Sequence, residues 1–421
     1  MEVNKALEKL FSLHNFGIKL GLENISRFLE ILGNPQSHLK TFHIAGSNGK
    51  GSTASFIASI LMEFGYKVGL YTSPHFVKYN ERIKINNVLI PDDYVAKFVA
   101  DYVDYIDEHG LTFFEVTTAI AFKYFYEYKV DYAVIETGLG GRLDATNVIL
   151  PLAVAITSIS LEHTNILGST IKKIANEKAA IIKSSAKVFT GKLPSAAEEV
   201  IEEKCKSENC AWFKIEDYIN LKGNSLELYT EELEIDDWNM PLKGEYQKYN
   251  AALSALIIDK TLLKDDYKTI SKGIKNVIKN TGLQGRFEYF SNNPDIIFDS
   301  AHNPEGIENF VKEFSKEYNK YNKRILLFGV MRDKSIKEML SKLSGSFDEI
   351  HVAQIKYERS SKIEDLQEIA GELNIHVIPE LNPVEYIKNF KELKSNTCLV
   401  VLGSMYLLGE VKSVLQINNF A

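Results

Sequence analysis

The stretch T-F-H-I-A-G-S-N-G-K-G-S, Thr41 to Ser52, decides how this chain folds. Thr41 to Ala45 is a short run with strand character. The segment Thr53 to Phe64, closing at Gly65, has the spacing of an amphipathic helix. Between them lie Gly46, Ser47, Asn48, Gly49, Lys50, Gly51 and Ser52. Strand, glycine loop, lysine and helix start together make an anion cradle: backbone N–H groups point at phosphate oxygens and the lysine adds positive charge. The spacing departs from the usual G-x-x-x-x-G-K-[ST], because only two residues separate Gly46 from Gly49 and Gly51 stands between Lys50 and Ser52. A glycine-rich turn with one exposed lysine is the bland alternative, and the flanking strand and helix weigh against it.

A second constellation lies downstream, E-T-G-L-G-G-R-L-D-A-T-N, Glu136 to Asn147. It follows the apolar run Tyr132 to Ile135, so Glu136 falls where a buried strand opens onto a loop. A carboxylate at the C-terminal edge of a central strand is where α/β proteins place ligands. Three glycines in the next few residues let the backbone approach whatever that carboxylate holds.

Bulk properties set the class. A chain of 421 residues is long for one core and predicts two α/β domains. A net charge of −7 argues against a nucleic-acid or anionic-membrane partner. The start, M-E-V-N-K, is charged with no apolar signal core, and the apolar stretches Pro151 to Leu161 and Cys398 to Gly409 are too short to span a bilayer. Cys205, Cys210 and Cys398 form neither a disulfide framework nor a metal-ligand set. The expected compartment is the cytoplasm.

Apolar runs alternate with helical patterns along the chain. Val68 to Thr72, Tyr132 to Glu136 and Ala153 to Ile159 read as strands; Asp92 to Glu108, Val116 to Tyr128 and Thr170 to Lys183 read as helices. That alternation predicts a mostly parallel sheet covered on both faces. Gly223 to Trp238 reads as a β-hairpin at the sheet's edge, and Leu242 to Ala252 opens a helix. Asn280 to Arg286 reads as the linker. It divides an N-terminal domain, 1–283, from a smaller Rossmann-like domain, 284–421, with strands at Asp295 to Phe298, Arg324 to Val330, Glu349 to Ala353, His376 to Ile378 and Thr397 to Gly403.

The two glycine-rich stretches together resemble the folylpolyglutamate synthase and dihydrofolate synthase family, a branch of the Mur ligases. The likeness continues through L-G-L-E-N-I (Leu20 to Ile25), Y-T-S-P-H-F (Tyr71 to Phe76), N-E-R-I-K-I (Asn80 to Ile85) and L-T-F-F-E-V-T-T-A (Leu111 to Ala119). E-H-T-N-I-L-G-S-T (Glu162 to Thr170), I-A-N-E-K-A-A-I (Ile174 to Ile181), D-S-A-H-N-P (Asp299 to Pro304) and G-S-M-Y-L-L-G-E-V (Gly403 to Val411) extend it over almost the whole chain. The resemblance implies a Mur-ligase-like α/β fold, a P-loop ATPase domain followed by a Rossmann-like domain. It implies an ATP- and Mg²⁺-dependent monomeric enzyme joining L-glutamate to a folate or dihydropteroate carboxylate through an acyl phosphate. A Mur-type ligase for another carboxylate and a nucleotide-dependent switch protein remain the alternatives.

Such a reaction needs a phosphate cradle, a lysine and a magnesium ion. Mg²⁺ takes a few oxygen ligands and keeps waters, so a carboxylate and a hydroxyl suffice. Glu136 and Ser73, each just past a predicted strand, are candidates, and Ser52 is placed to hold the ion shared with the β- and γ-phosphates. The resemblance adds His163 to this set. It also places Asn250 (Q-K-Y-N-A) and Arg286 (Q-G-R-F-E) near adenine and phosphate, and His302 near the nucleotide. Asp299, past its strand, suits a ribose hydroxyl; the bland reading of D-S-A-H-N-P is a strand-to-helix turn with Pro304 at the helix start.

Lys178, on a predicted helix, is by its residues alone a solvated lysine or one paired with an acid such as Glu177. The resemblance implies a catalytic role and carbamylation, which needs an amine of lowered pKa. Departures from the family pattern are Ala180 after E-K-A, Glu162 before the histidine, Ser47 in the loop, Tyr246 before Gln247, and Ser300 in D-S-A-H-N-P.

Overall fold

The computed structural model describes residues 2–13, 21–222, 225–231, 233–235, 238–264, 266–392 and 396–415. Leu20 of L-G-L-E-N-I lies outside the described residues, as do 223, 224, 232, 236 and 237 of the expected hairpin. The chain forms two compact units. The first comprises Met1–Pro74, Tyr79–Pro241 and Lys248–Gly282; the second comprises His75–Lys78, Leu242–Gln247 and Leu283–Ala421.

The first unit is built on an eight-stranded sheet. Its strands are β1 (Thr41–Ala45), β2 (Val68–Tyr71), β3 (Ile83–Ile85), β4 (Val88–Leu89), β5 (Tyr132–Glu136), β6 (Ala153–Ile156), β7 (Lys187–Thr190) and β8 (Trp212–Lys214), in the order β4-β3-β2-β5-β1-β6-β7-β8. All neighbours pair parallel except β3 with β2 and with β4. The central strand β1 is buried at every position because helices cover both faces, so it reads as a continuous run rather than an alternation. β6 stops at Ile156, three residues before the expected Ile159, and its continuation Thr157–Ser160 is polar loop.

The helix Lys50–Glu63 is buried from Ser52 through Leu61. The amphipathic expectation is therefore corrected. One side of this helix faces the sheet, and the other is covered by the helices Tyr267–Lys275 and Val277–Thr281, which leaves no polar face to expose. Its small residues permit close contact: Ser59 Oγ donates to the carbonyl of Gly273 at 2.6 Å, and Asn280 Nδ2 donates to Ser59 Oγ at 3.0 Å.

The hairpin expected at the sheet's edge is instead part of a separate three-stranded antiparallel sheet. β9 (Ile219–Lys222), β10 (Ser225–Tyr229) and β11 (Glu234–Ile235) run in the order β11-β10-β9. Leu226, Leu228 and Ile235 give this small sheet its own buried face. The expected linker starts as the last turn of the helix Val277–Thr281, which ends at Gly282 in the left-handed conformation, φ 66°.

The second unit carries β12 (Glu288–Ser291), β13 (Asp295–Phe298), β14 (Lys323–Phe328), β15 (Glu349–Ala353), β16 (Ile378–Glu380) and β17 (Thr397–Leu402), ordered β12-β13-β17-β14-β15-β16. All pairs are parallel except β12 with β13. β12 was not foreseen: it is a half-buried edge strand with a register shift between Tyr289 and Ser291, so its period is broken. The strand expected at His376 to Ile378 lies two residues later. Among the described residues no helix is long and apolar enough to cross a membrane.

Candidate nucleotide and metal site

β1 delivers Gly46 to the C-terminal edge of the sheet, and Gly49, at φ 84°, caps the helix Lys50–Glu63 without a side-chain hydrogen bond. Side chains are excluded at both glycines: a Cβ on Gly46 would lie 1.9 Å from Thr157 Oγ1, and one on Gly49 would lie 2.6 Å from Asn250 Oδ1. A helix start with no side-chain cap keeps its first N–H groups for a ligand. Lys50 Nζ sits at this loop and donates to Gly46 O at 2.8 Å and Ser47 O at 3.1 Å. Ser52, in the first turn, is buried, and its Oγ has no hydrogen-bond partner. Other buried hydroxyls, Ser160 Oγ among them, also lack a partner, so what singles out Ser52 is its place in the first turn after the glycine loop.

The loop is held by residues that the sequence reading passed over. Ser47 N donates to Ser158 O at 2.9 Å, Asn48 N to Ser158 Oγ at 2.9 Å, Ser160 N to Ser47 Oγ at 3.0 Å, and Thr157 Oγ1 to Asn48 O at 2.5 Å. Thr157, Ser158 and Ser160 thus form the outer wall of the cradle. The signal was present in T-S-I-S, a polar run at the end of a strand beside β1.

Glu136 ends β5, between β1 and β2, and is 4% exposed. Its Oε2 accepts the backbone N–H of Ser73 at 3.0 Å, so the structure places these two residues side by side. The glycine loop after Glu136 is fixed by Asp144, whose Oδ2 accepts from Gly138 N and Leu139 N at 2.8 Å each. Oδ1 of Asp144 accepts from Thr146 N and Thr146 Oγ1. Burial pushes the Asp144 carboxyl up, and these bonds oppose that push. Thr146 Oγ1 lies 2.8 Å from His43 Nε2. Burial, aided by Lys183, pulls His43 down to about 3, so it is neutral inside the sheet.

Lys178 is not a solvated lysine and does not pair with Glu177. Ile174, Ala175, Lys178 and Ala179 form the buried face of the helix Ile171–Ala179. That face turns Lys178 inward, 2% of its side chain exposed, with Nζ 2.7 Å from Glu162 Oε1 and 2.9 Å from Gly46 O. Glu177, on the other side, pairs with Arg142 Nε at 2.9 Å. Burial lowers the Lys178 pKa, Glu162 raises it, and Lys50 lowers it further. For Glu162 burial disfavours the charge, but Lys178 and Lys50 outweigh it and hold the carboxyl far below its usual range. His163 follows Glu162, in the left-handed region at φ 46°, and starts the short helix Thr164–Leu167. Among the described residues no group of three or more His, Cys, Asp or Glu side chains could hold a metal ion. All three cysteines are free.

Asn250 lies in the first unit, on the helix Glu245–Leu262, with Oδ1 3.5 Å from Thr53 Oγ1. In the second unit Asp299 follows β13. Its carboxylate accepts from Phe287 N at 2.7 Å and Ala301 N at 2.8 Å, with burial pushing its pKa up and Arg286 pulling it down. His302 Nδ1 lies 2.9 Å from Ser300 O. Arg286 Nη1 donates to Gly285 O at 3.1 Å.

Residues 44–258 match the Mur ligase middle domain, and residues 285–405 match the Mur ligase, glutamate ligase domain. Fold and domain matches define an ATP-dependent glutamate ligase of the Mur ligase class. The chain is 36% identical over 418 residues to dihydrofolate synthase/folylpolyglutamate synthase of Bacillus subtilis (strain 168), covering 95% of this chain and 96% of that protein. The crystal structure of folylpolyglutamate synthase from Thermotoga maritima aligns with a TM-score of 0.84 at 33% identity, covering 98% of this chain and 97% of that one. E. coli FolC in complex with DHPP and ADP aligns with a TM-score of 0.88 at 29% identity, covering 100% and 99%. The chain belongs to the folylpolyglutamate synthase/dihydrofolate synthase family of Mur ligases.

Proposed function

We infer that this protein uses ATP to ligate L-glutamate to folates, and we propose that dihydropteroate and an already glutamylated folate are both acceptors. The observation that carries the site reading is the buried, unpartnered hydroxyl of Ser52 in the first turn after the glycine loop. Residues 1–283 would form the ATP-binding domain and 284–421 the ligase domain.

The donor set suits magnesium: the Ser52 hydroxyl, the Glu136 carboxylate and Ser73 are hard oxygen groups, and two or three protein ligands suffice for this ion. His163 would complete the set, although an imidazole is the less usual donor. When bound, Mg²⁺ neutralises charge on the phosphate oxygens. The N–H groups at the helix start, from Gly49 onward, and Lys50 would hold the phosphates, with Lys50 exchanging the carbonyls of Gly46 and Ser47 for the γ-phosphoryl oxygens. Asn250, Arg286, Asp299 and His302 would meet the rest of the nucleotide.

In the reaction a folate carboxylate oxygen attacks the γ-phosphorus, giving an acyl phosphate and ADP. The glutamate amine then attacks the acyl carbon, the C–O bond to phosphate breaks, and the amine loses a proton as the amide forms. Lys178 has two possible roles. As an ammonium it ties Gly46 to Glu162. As a neutral amine, favoured by burial, it can add CO₂ to become the carbamate expected from the family. The reading also makes the enzyme a cytoplasmic monomer; the net charge of −7 argues against a nucleic-acid or anionic-membrane partner, and the free thiols fit a reducing compartment.

An ADP-release assay tests this function. Release should require both glutamate and an acceptor, and should occur with dihydropteroate and with a monoglutamyl folate. Release without any acceptor would favour a nucleotide switch.

A further inference from the structure

The motif G-S-M-Y-L-L-G-E-V and the last two residues of Y-T-S-P-H-F, His75 and Phe76, have no part in the reaction as described. They meet in the second unit. The helix Met405–Leu415 carries the latter motif and, one residue beyond it, Lys412, whose side chain is 0% exposed. Its Nζ lies 2.7 Å from Gln284 Oε1, and 2.8 and 2.7 Å from the two Glu288 oxygens. The ammonium also stands 5.2 Å from the centroid of the Phe76 ring and 5.8 Å from that of Phe298. Gly409, one turn earlier, admits Phe76 to this place: a Cβ there would lie 2.0 Å from the Phe76 carbonyl oxygen.

We propose that Lys412 is a positioning residue for the nucleotide contacts of the second unit. This rests on the reading of Arg286, Asp299 and His302 given above. Gln284 and Glu288 flank Arg286 on either side, so one buried ammonium holds both ends of the segment that presents the guanidinium. Glu288 Oε2 also accepts the N–H of Gly285 at 2.7 Å. The segment is in turn bonded to the other nucleotide loop: Ser300 N donates to Gly285 O at 3.0 Å, and Phe287 N donates to Asp299 Oδ2. Displacing Lys412 therefore loosens residues 284–288 and 299–302 together.

A purely structural ion pair is the competing account, and energetics separate the two. Lys412 is buried and Glu288 is 28% exposed, so the pair gives little stability relative to apolar residues of similar size, whereas removing Glu288 alone leaves an unpaired buried ammonium. Replacing both partners should therefore preserve folding while it releases Gln284 and the Gly285 N–H, the two bonds that fix the segment. A lysine is suited to that geometry because its three donors can reach three oxygens on two residues, Gln284 and Glu288, at once.

The test is the double variant K412M/E288L in the full chain, with E288Q as a second variant and Arg286→Ala as the reference. Thermal unfolding, ADP affinity by calorimetry, and KM for ATP and for the folate acceptor are measured for each. In K412M/E288L the melting temperature should stay near that of the parent. ADP affinity should fall, and KM for ATP rise, on the order of tenfold, as expected for a misplaced binding group, with KM for the folate unchanged. E288Q, whose single carbonyl oxygen must serve both Lys412 and Gly285, should shift ADP affinity in the same direction by less. If Arg286→Ala weakens ADP while E288Q and the folded double variant bind ADP like the parent, the positioning role is overturned. Should the double variant fail to fold, unchanged ADP affinity in E288Q overturns it alone. If Arg286→Ala itself binds ADP normally, the nucleotide reading of the segment falls, and the proposal with it.

Discussion

Each unit has a parallel strand that ends in a loop and turns into a helix, at β1 and at β13, and the two turns are chemically opposite. After β1 the helix begins at Gly49, a left-handed residue with no side chain to offer, and the next residue is Lys50. After β13 the cap is Asn303, whose Oδ1 accepts the N–H of Gly306 at 2.8 Å, and the first helical residue is Pro304, which has no N–H. The first helix start has no side-chain cap, and the second has one from Asn303. On the proposed function, the cap residue rather than the position in the fold separates the phosphate site from an ordinary helix start. The turn reading of D-S-A-H-N-P holds as geometry, so any nucleotide role there rests on Asp299 and His302 rather than on the helix start.

The hardest test of this contrast is Lys50→Ala. Removing the ammonium should lower kcat by on the order of 10²–10³ in a protein that still melts like the parent. Near-normal turnover would erase the difference between the two turns. Lys178→Arg comes next. Arginine retains the charge beside Glu162 but cannot form a carbamate, so activity should be largely lost at saturating ATP and Mg²⁺. Full activity there would reduce Lys178 to its contact with Gly46 and Glu162. Glu136→Gln keeps the shape and removes the charge. The Mg²⁺ concentration for half activity should rise by about tenfold or more, and an unchanged titration curve would count against the metal assignment.

Asn303→Ala probes the other turn. Losing the cap should cost about 1 kcal/mol of stability, seen in thermal or urea unfolding, with KM for ATP close to that of the parent. A large rise in KM would mean that the second helix start also serves the anion. The smallest effect belongs to the far end of the phosphate-loop helix, at Glu63. Burial there disfavours the charge, but Asn280, Lys272 and Asn276 outweigh it and bring the carboxyl down to about 2. A depressed carboxylate stabilises the fold above its unfolded pKa of 4.5, and that contribution fades as pH falls toward 2. Glu63→Gln should therefore melt slightly below the parent near neutral pH, and the gap should close in acid.

Sequence reading reached the parts whose chemistry is local. β5 and β13 have the predicted bounds, because a buried parallel strand is a short apolar run with sharp ends. Gly46 to Ser52 sits where strand, loop and helix signals meet. What escaped it depends on distant partners. Lys178 is turned inward by the buried face of its helix, and its acid is Glu162 rather than the adjacent Glu177. Asp144 and His43 are joined only through Thr146, far from His43 in sequence. Thr157, Ser158 and Ser160 bond to a loop more than a hundred residues earlier. The all-round burial of the helix Lys50–Glu63 was hidden for the same reason: its outer cover comes from residues 267–281.

That cover has a consequence for how the protein is made. The helix behind the glycine loop emerges from the ribosome well before its cover, since Gly49 meets Asn250, and Ser59 bonds to Gly273 and Asn280. These contacts close a span of roughly two hundred residues, a long loop to order during synthesis. Until the chain has been extended past Asn280, a strongly apolar helix has only one of its two sides protected. Nascent chains of intermediate length should therefore bind nucleotide poorly and engage chaperones, with both properties changing together once the last cover helix leaves the exit tunnel.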